Sequence, residues 1–264
     1  MIRFENLEKV WPDGTQALSN VSLNIPQGQF CIILGPSGAG KSTLLRAVNG
    51  LSKPSGGKVL IDNVTFGPTT QRQLRQRIAM IHQHFNLTSR LSVAANVLSG
   101  LLPIVSTIRA LAGWFKTEQR EKACTMLKRV GLSPAHLNRR AGDLSGGQQQ
   151  RVGIARAFML DPEIVLADEP VASLDPKISR DILCLIRDAA KERNTTVLCS
   201  LHQIELAREF GDRIIGMRDG RVVFDGTTEE FTDERIQDLY HGASWEEPQH
   251  ADGAQTPTYE LAPA

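Results

Sequence analysis

The sequence predicts an α/β fold in which a parallel sheet is covered by helices on both sides. An antiparallel β subdomain precedes that core, and a helical subdomain interrupts it. Three observations carry this expectation. Short, continuous apolar runs recur at FCIIL (30–34), IAMI (78–81), EIVLAD (163–168), TVLCSL (196–201) and RIIGM (213–217), and such runs suit strands buried on both faces. Helical patterns lie between several of them, as from Arg180 to Arg193 with Ile182, Leu183, Leu185, Ile186 and Ala189 on one side. Buried strands that alternate with helices form parallel sheets. From about Ser92 to Val130 the strand signals vanish and amphipathic helical sequence replaces them.

Taken in chain order, IRFENLEKV reads as a strand, Pro12-Asp13-Gly14 as a turn, and ALSNVSLNI as a second strand with rough period-two alternation. Pro26-Gln27-Gly28 closes that piece, and the buried strand FCIIL follows. From Trp245 the chain becomes rich in Pro, Ala and polar residues, a composition that does not support a packed core. The expected organisation is one domain over residues 1–242, with the helical insertion at about 90–155, and a disordered tail over 243–264. The chain shows no internal repeat, so one nucleotide-binding unit is expected, not two fused copies.

Composition excludes several classes. Among 264 residues, 30 Lys and Arg stand against 29 Asp and Glu, a near-balance unlike the basic excess of dedicated nucleic-acid binders. No nucleic-acid partner is expected. Cys31, Cys124, Cys184 and Cys199 form no Cys-x-x-Cys pair, which argues against a zinc site or a disulfide framework. Cys31 and Cys199 lie in apolar runs and are expected to be buried and reduced. The first ten residues mix charges and lack a signal-peptide core. The longest apolar-leaning run, Val97 to Phe115, is broken by Ser99, Ser106, Thr107 and Arg109, so it does not read as a membrane span.

The segment Gly35-Pro36-Ser37-Gly38-Ala39-Gly40-Lys41-Ser42 fits G-x-x-x-x-G-K-[ST]. It follows a buried strand and precedes helical sequence beginning near Lys41, with Thr43 next in line. Glycines let successive N–H groups turn toward one anion, and the helix adds its positive end. Lys41 supplies a full charge for the β- and γ-phosphates, and Ser42 a hydroxyl for Mg²⁺. A dinucleotide fingerprint fits less well, because G-x-G-x-x-G does not match from Gly35 and needs no lysine.

In EIVLADE (163–169), two carboxylates directly follow four apolar residues. Asp168 and Glu169 are therefore expected at the C-terminal end of a buried strand, the edge where ligands of open α/β sheets gather. Asp168 is the expected Mg²⁺ holder and Glu169 the residue that polarises the attacking water.

Leu144-Ser145-Gly146-Gly147-Gln148, 20 residues before Asp168, resembles the signature of the ATP-binding cassette ATPases. The resemblance covers roughly residues 2–230 and implies their fold, a RecA-like P-loop NTPase core. It also assigns further residues. Gln83 resembles the glutamine that senses Mg²⁺ and contacts the membrane partner, and Ser173-Leu174-Asp175 resembles the D-loop. His202 resembles the switch histidine that contacts the γ-phosphate, and Trp11 stands where the family stacks an aromatic on adenine. By the same resemblance Ser145, Gly146, Gly147 and Gln148 act in trans, so that two copies of the chain sandwich two ATP molecules.

The stretches 81–87, 89–93, 112–115 and 166–175 look more specifically like the ATP-binding subunit of phosphonate importers, whose phosphite and hypophosphite counterparts are closely similar. That likeness implies integral-membrane permease subunits as partners and, through them, a substrate-binding protein outside the membrane. It implies a peripheral location on the cytoplasmic face of the inner membrane. Phe85, Leu87, Leu91 and Trp114 are candidates for apolar contact with a permease helix, or else core residues of the insertion. Competing readings are an importer ATPase for another small anion or amino acid, a soluble cassette protein, and a P-loop small-molecule kinase. The kinase would have no use for residues 144–148, and the soluble proteins usually carry tandem cassettes or long coiled coils.

Overall fold

The computed structural model describes residues 1–240, which form two sheets and nine α-helices. The expected tail lies outside the described residues.

Strands β1 (Ile2–Val10), β2 (Gln16–Ile25), β4 (Gly56–Ile61) and β5 (Val64–Thr65) make an antiparallel sheet in the order β2-β1-β4-β5. The second sheet holds β3 (Phe30–Leu34), β6 (Ile78–Ile81), β7 (Ile164–Asp168), β8 (Thr196–Ser200), β9 (Arg213–Arg218) and β10 (Arg221–Gly226). Its order is β10-β9-β3-β8-β7-β6, and every pair is parallel except β9 with β10. The expected parallel core is present, and β10 adds one antiparallel strand at its edge. Only Asp219 and Gly220 separate β9 from β10, at φ +49° and +73°, and a two-residue loop with both φ positive makes a tight antiparallel hairpin.

The central strands are buried on both faces, as their unbroken apolar runs require. In β3, Phe30, Ile32 and Leu34 face one core while Cys31 and Ile33 face the other. In β7, Val165 and Ala167 share the first core, and Ile164 and Leu166 the second. The second core is roofed by the antiparallel sheet and by α1 (Lys41–Val48), through Phe4, Leu18, Leu44 and Leu45. Cys31 and Cys199 are buried free thiols, and burial pushes Cys31 up to about 12.

The chain between β6 and β7 is helical. After α2 (Gln71–Arg77) and β6 come α3 (Val93–Leu98), α4 (Thr107–Leu111), α5 (Thr117–Arg129) and α6 (Gly146–Ala157). Of these, α3, α5 and α6 pack on the first core through Val93, Val97, Leu127 and Val152, whereas α4 buries no residue. The run from Val97 to Phe115 divides into short turns and helices, and no helix among the described residues is long and apolar enough to cross a membrane. Helices α7 (Pro176–Arg193), α8 (Ile204–Phe210) and α9 (Asp233–Tyr240) complete the fold. Helix α7 begins at Pro176, a residue suited to the first helical position, and the Asp175 side chain caps it by accepting from the Ile178 N–H at 3.0 Å.

Candidate functional site

Two glycines of the loop between β3 and α1 are fixed by geometry. Gly35 has φ +149°, and a Cβ there would stand 2.1 Å from the Met217 carbonyl oxygen. Gly40 has φ +100°, with the Ala17 carbonyl oxygen 2.5 Å from the place of a Cβ. The loop thus threads between β2 and β9 where only bare backbone fits. Ala39 is buried beneath it, Pro36 half-buried, and Ser37 and Gly38 form its exposed tip.

Lys41 opens α1, yet its side chain bends back into the loop. Its Nζ donates to the carbonyls of Gly35 at 2.6 Å and Pro36 at 3.1 Å. The residue is only 4% exposed, and burial lowers its pKa, while Glu169 and Asp168 pull the other way. A nearly dry ammonium at a helix N-terminus, held by two carbonyls, is a charge short of an anion.

Asp168 and Glu169 stand at the C-terminal end of β7, beside the end of β8. The Ser42 Oγ donates to Asp168 Oδ1 at 2.8 Å, and the Ser200 Oγ donates to the same oxygen at 3.1 Å. Glu169 leaves the strand in the left-handed region at φ +48°, and its N–H donates to Ser200 Oγ at 2.9 Å. Its carboxylate meets His202 Nε2 at 2.5 Å. That hydrogen bond holds the Glu169 carboxyl below the usual value, against its own burial and with help from Lys41.

The remaining expected residues fall into separate groups. Thr43 is half-buried in the first turn of α1. Gln83 is half-buried in the loop after β6, the strand beside β7. Ser145 caps α6 by a capping box: its Oγ accepts from the Gln148 N–H at 3.4 Å, while its own N–H donates to Gln148 Oε1 at 3.1 Å. Ser145 itself faces outward, and Gly147 is pressed against Ile178. Gly146 packs toward Phe85 and Leu174. Among the described residues no hydrogen bond joins Ser145–Gln148 to the loop at 35–42. Trp11 lies at the β1–β2 turn, partly exposed, with Lys9 Nζ 4.5 Å from its ring centre. Of the candidate contact residues, Leu87 packs on the core and Phe85 is half-buried, whereas Leu91 and Trp114 are exposed. Trp114 is 66% exposed, and Leu102, Ile104, Ile108 and Leu111 in the same segment of the insertion are exposed too.

Two contributors escaped the sequence reading. Ser200 sits inside an apolar strand and has no motif; only the adjacency of β7 and β8 reveals it. Arg156, on α6, donates to the carbonyls of Asn86 at 2.6 Å and Phe85 at 2.9 Å, clamping the loop that carries Gln83. Phe85 and Asn86 both have positive φ, so their carbonyls turn off the ordinary path and need that partner.

Comparison with known proteins agrees with this geometry. The family described as "ABC transporter" matches residues 18–172. The chain is 48% identical to the phosphonates import ATP-binding protein PhnC of Hydrogenovibrio crunogenus over 240 residues, covering 91% of this chain and 88% of that one. It is 47% identical to the phosphite import ATP-binding protein PxtA of Stutzerimonas stutzeri over 252 residues, covering 95% and 91%. Among solved structures, the dimeric cassette MJ0796 bound to ADP and Pi superposes with a TM-score of 0.75 at 38% identity, over 86% of this chain and 99% of the other. The cassette MJ1267 in its ADP conformation gives 0.78 at 29% identity, over 92% and 98%. With the strand order, the glycine loop and the matched length in agreement, the chain belongs to the ABC transporter family.

Proposed function

We propose that this chain is the ATP-hydrolysing subunit of an importer for phosphonate or a close relative such as phosphite. The observation that carries the ATPase reading is Lys41: a nearly dry ammonium poised in a glycine loop at the start of α1, beside a carboxylate pair. The names of the relatives support the substrate class.

The loop at 35–40, with Lys41, Ser42 and Thr43, holds the triphosphate through backbone N–H groups, one ammonium and the helix end. Trp11, partly exposed at the β1–β2 turn, stacks on the adenine. Ser42 and Asp168 present hard oxygens within 2.8 Å of each other, a donor set that suits Mg²⁺, which takes few protein ligands and keeps waters and substrate phosphates. Gln83, from the loop after the neighbouring strand β6, would complete that set. When bound, the ion neutralises charge that develops on the phosphates. Glu169, ionised under the hold of His202, orients the attacking water and accepts its proton. His202 then sits where it reads the γ-phosphate.

Ser145, exposed at the N-terminus of α6, meets the ATP of a second copy together with the half-buried Gly146 and Gln148 and the backbone of the buried Gly147, with Asp175 at the same interface. Permease subunits bind the helical subdomain, residues 90–155, at the exposed Leu91 and Trp114. An external binding protein delivers the solute to them. The chain works peripherally on the cytoplasmic face of the inner membrane. Growth on phosphonate against phosphite as sole phosphorus source, with the gene deleted, tests the substrate. Loss on either one supports the reading, and unchanged growth on both contradicts it.

A further inference from the structure

We infer that Ser200 is a positioning residue for hydrolysis, fixing Glu169 and Asp168 through one hydroxyl. The inference rests on the ATPase reading above and goes beyond it to a residue no motif marks.

Ser200 ends β8 and is completely buried. Its register partner across the sheet is Asp168. The single hydroxyl uses both of its capacities. It accepts from the Glu169 N–H at 2.9 Å and donates to Asp168 Oδ1 at 3.1 Å, where the Ser42 hydroxyl also arrives at 2.8 Å. A continuous chain of polarised hydrogen bonds thus runs from the backbone of Glu169 to Ser42, the first turn of α1.

The accepted bond falls where the backbone is strained. Glu169 has φ +48°, a left-handed conformation that a residue with a Cβ holds only when its surroundings demand it. The Ser200 hydroxyl meets the N–H that this kink redirects. Two residues on, His202 meets the Glu169 carboxylate at 2.5 Å. The end of β8 therefore grips Glu169 twice, by its backbone through Ser200 and by its side chain through His202. Removing the first grip frees the kink, so the carboxylate loses its aim at the water while the loop at 35–42 keeps its nucleotide contacts. A general base displaced by a fraction of an ångström loses rate more than binding.

The experiment compares wild type, Ser200→Ala and Ser200→Thr as full chains. ATP hydrolysis is followed by phosphate release, nucleotide affinity by titration with a fluorescent ATP analogue, and folding by thermal melting. Ser200→Ala is expected to lower kcat at least tenfold with KM and nucleotide affinity changed less than twofold, and Ser200→Thr, which keeps the hydroxyl, to recover most of that loss. A double variant supplies the second arm: Ser200→Ala is expected to cost less than twofold further when Glu169 is already Gln. An unchanged kcat in Ser200→Ala overturns the proposal. So does an equal loss of kcat and affinity that the threonine does not rescue, or a full tenfold loss in the Gln background. Absence of hydrolysis by wild type overturns the ATPase reading itself.

Discussion

The Nε2 of His202 lies 2.5 Å from Oε1 of Glu169, although 33 residues separate them in the chain. The contact exists because β7 and β8 are parallel neighbours whose C-terminal ends coincide. It bears on the charge of the residue we assign as base, since the hydrogen bond favours the ionised carboxylate and holds it below the usual carboxylate range.

That shift predicts a pH dependence. A carboxyl whose pKa is lower folded than unfolded adds stability that is complete above the unfolded value and drains as pH falls through the folded one. In thermal melts His202→Ala is therefore expected to be less stable than wild type near neutrality. The gap should narrow as the pH falls through and below the ordinary carboxylate range. A gap that is constant or widens on acidification contradicts the pairing.

Lys41→Ala removes the one buried ammonium of the glycine loop. Phosphate release is expected to fall by at least about 10²-fold, the scale of losing one preorganised group aimed at developing charge. Turnover at the wild-type rate would return Lys41 to a structural role.

Trp11 has one face beneath Lys9. Replacing it with Ala is expected to weaken ATP binding by about 1–3 kcal/mol, the range for a base stacked on an aromatic ring. Titration with a fluorescent ATP analogue measures this, and an unchanged affinity assigns Trp11 to the surface.

Arg156 ties α6 to the loop of Gln83 through two carbonyls. Arg156→Ala is expected to cost about 1.5–3 kcal/mol in chemical denaturation, as charged hydrogen bonds do when lost. A cost below about 0.5 kcal/mol, the level of ordinary surface changes, would mean that the clamp does not act.

Ile108→Ser and Trp114→Ser each replace an exposed apolar side chain of the insertion without touching the core. Both are expected to leave ATP hydrolysis by the isolated chain unchanged and to reduce copurification with coexpressed permease subunits. Undiminished copurification would place the permease elsewhere.

Much of this was legible in the residues because burial leaves a plain mark. FCIIL, IVLAD and TVLCS read as two-faced strands since both of their faces meet a core. The glycine loop and the carboxylate pair read from their places beside those strands. What stayed hidden had weak local contrast or depended on strand order. In β4, Gly56, Gly57 and Lys58 precede the three buried residues, and α2 buries only Leu74, so neither shows a periodic face. The β9–β10 hairpin depends on two backbone angles. Ser200 and Arg156 carry no motif because each acts on a residue brought near by the sheet or by α6, not by the sequence.

Hydrolysis on this reading needs two copies of the chain closing over ATP, with Ser145 of each meeting the nucleotide of the other. Light scattering of purified Glu169→Gln during size-exclusion chromatography measures this directly. With ATP and Mg²⁺ the expected species has twice the chain mass, and changing Ser145 to Arg returns it to one chain. A single-chain mass for Glu169→Gln at saturating ATP, or a dimer indifferent to Ser145, would contradict it.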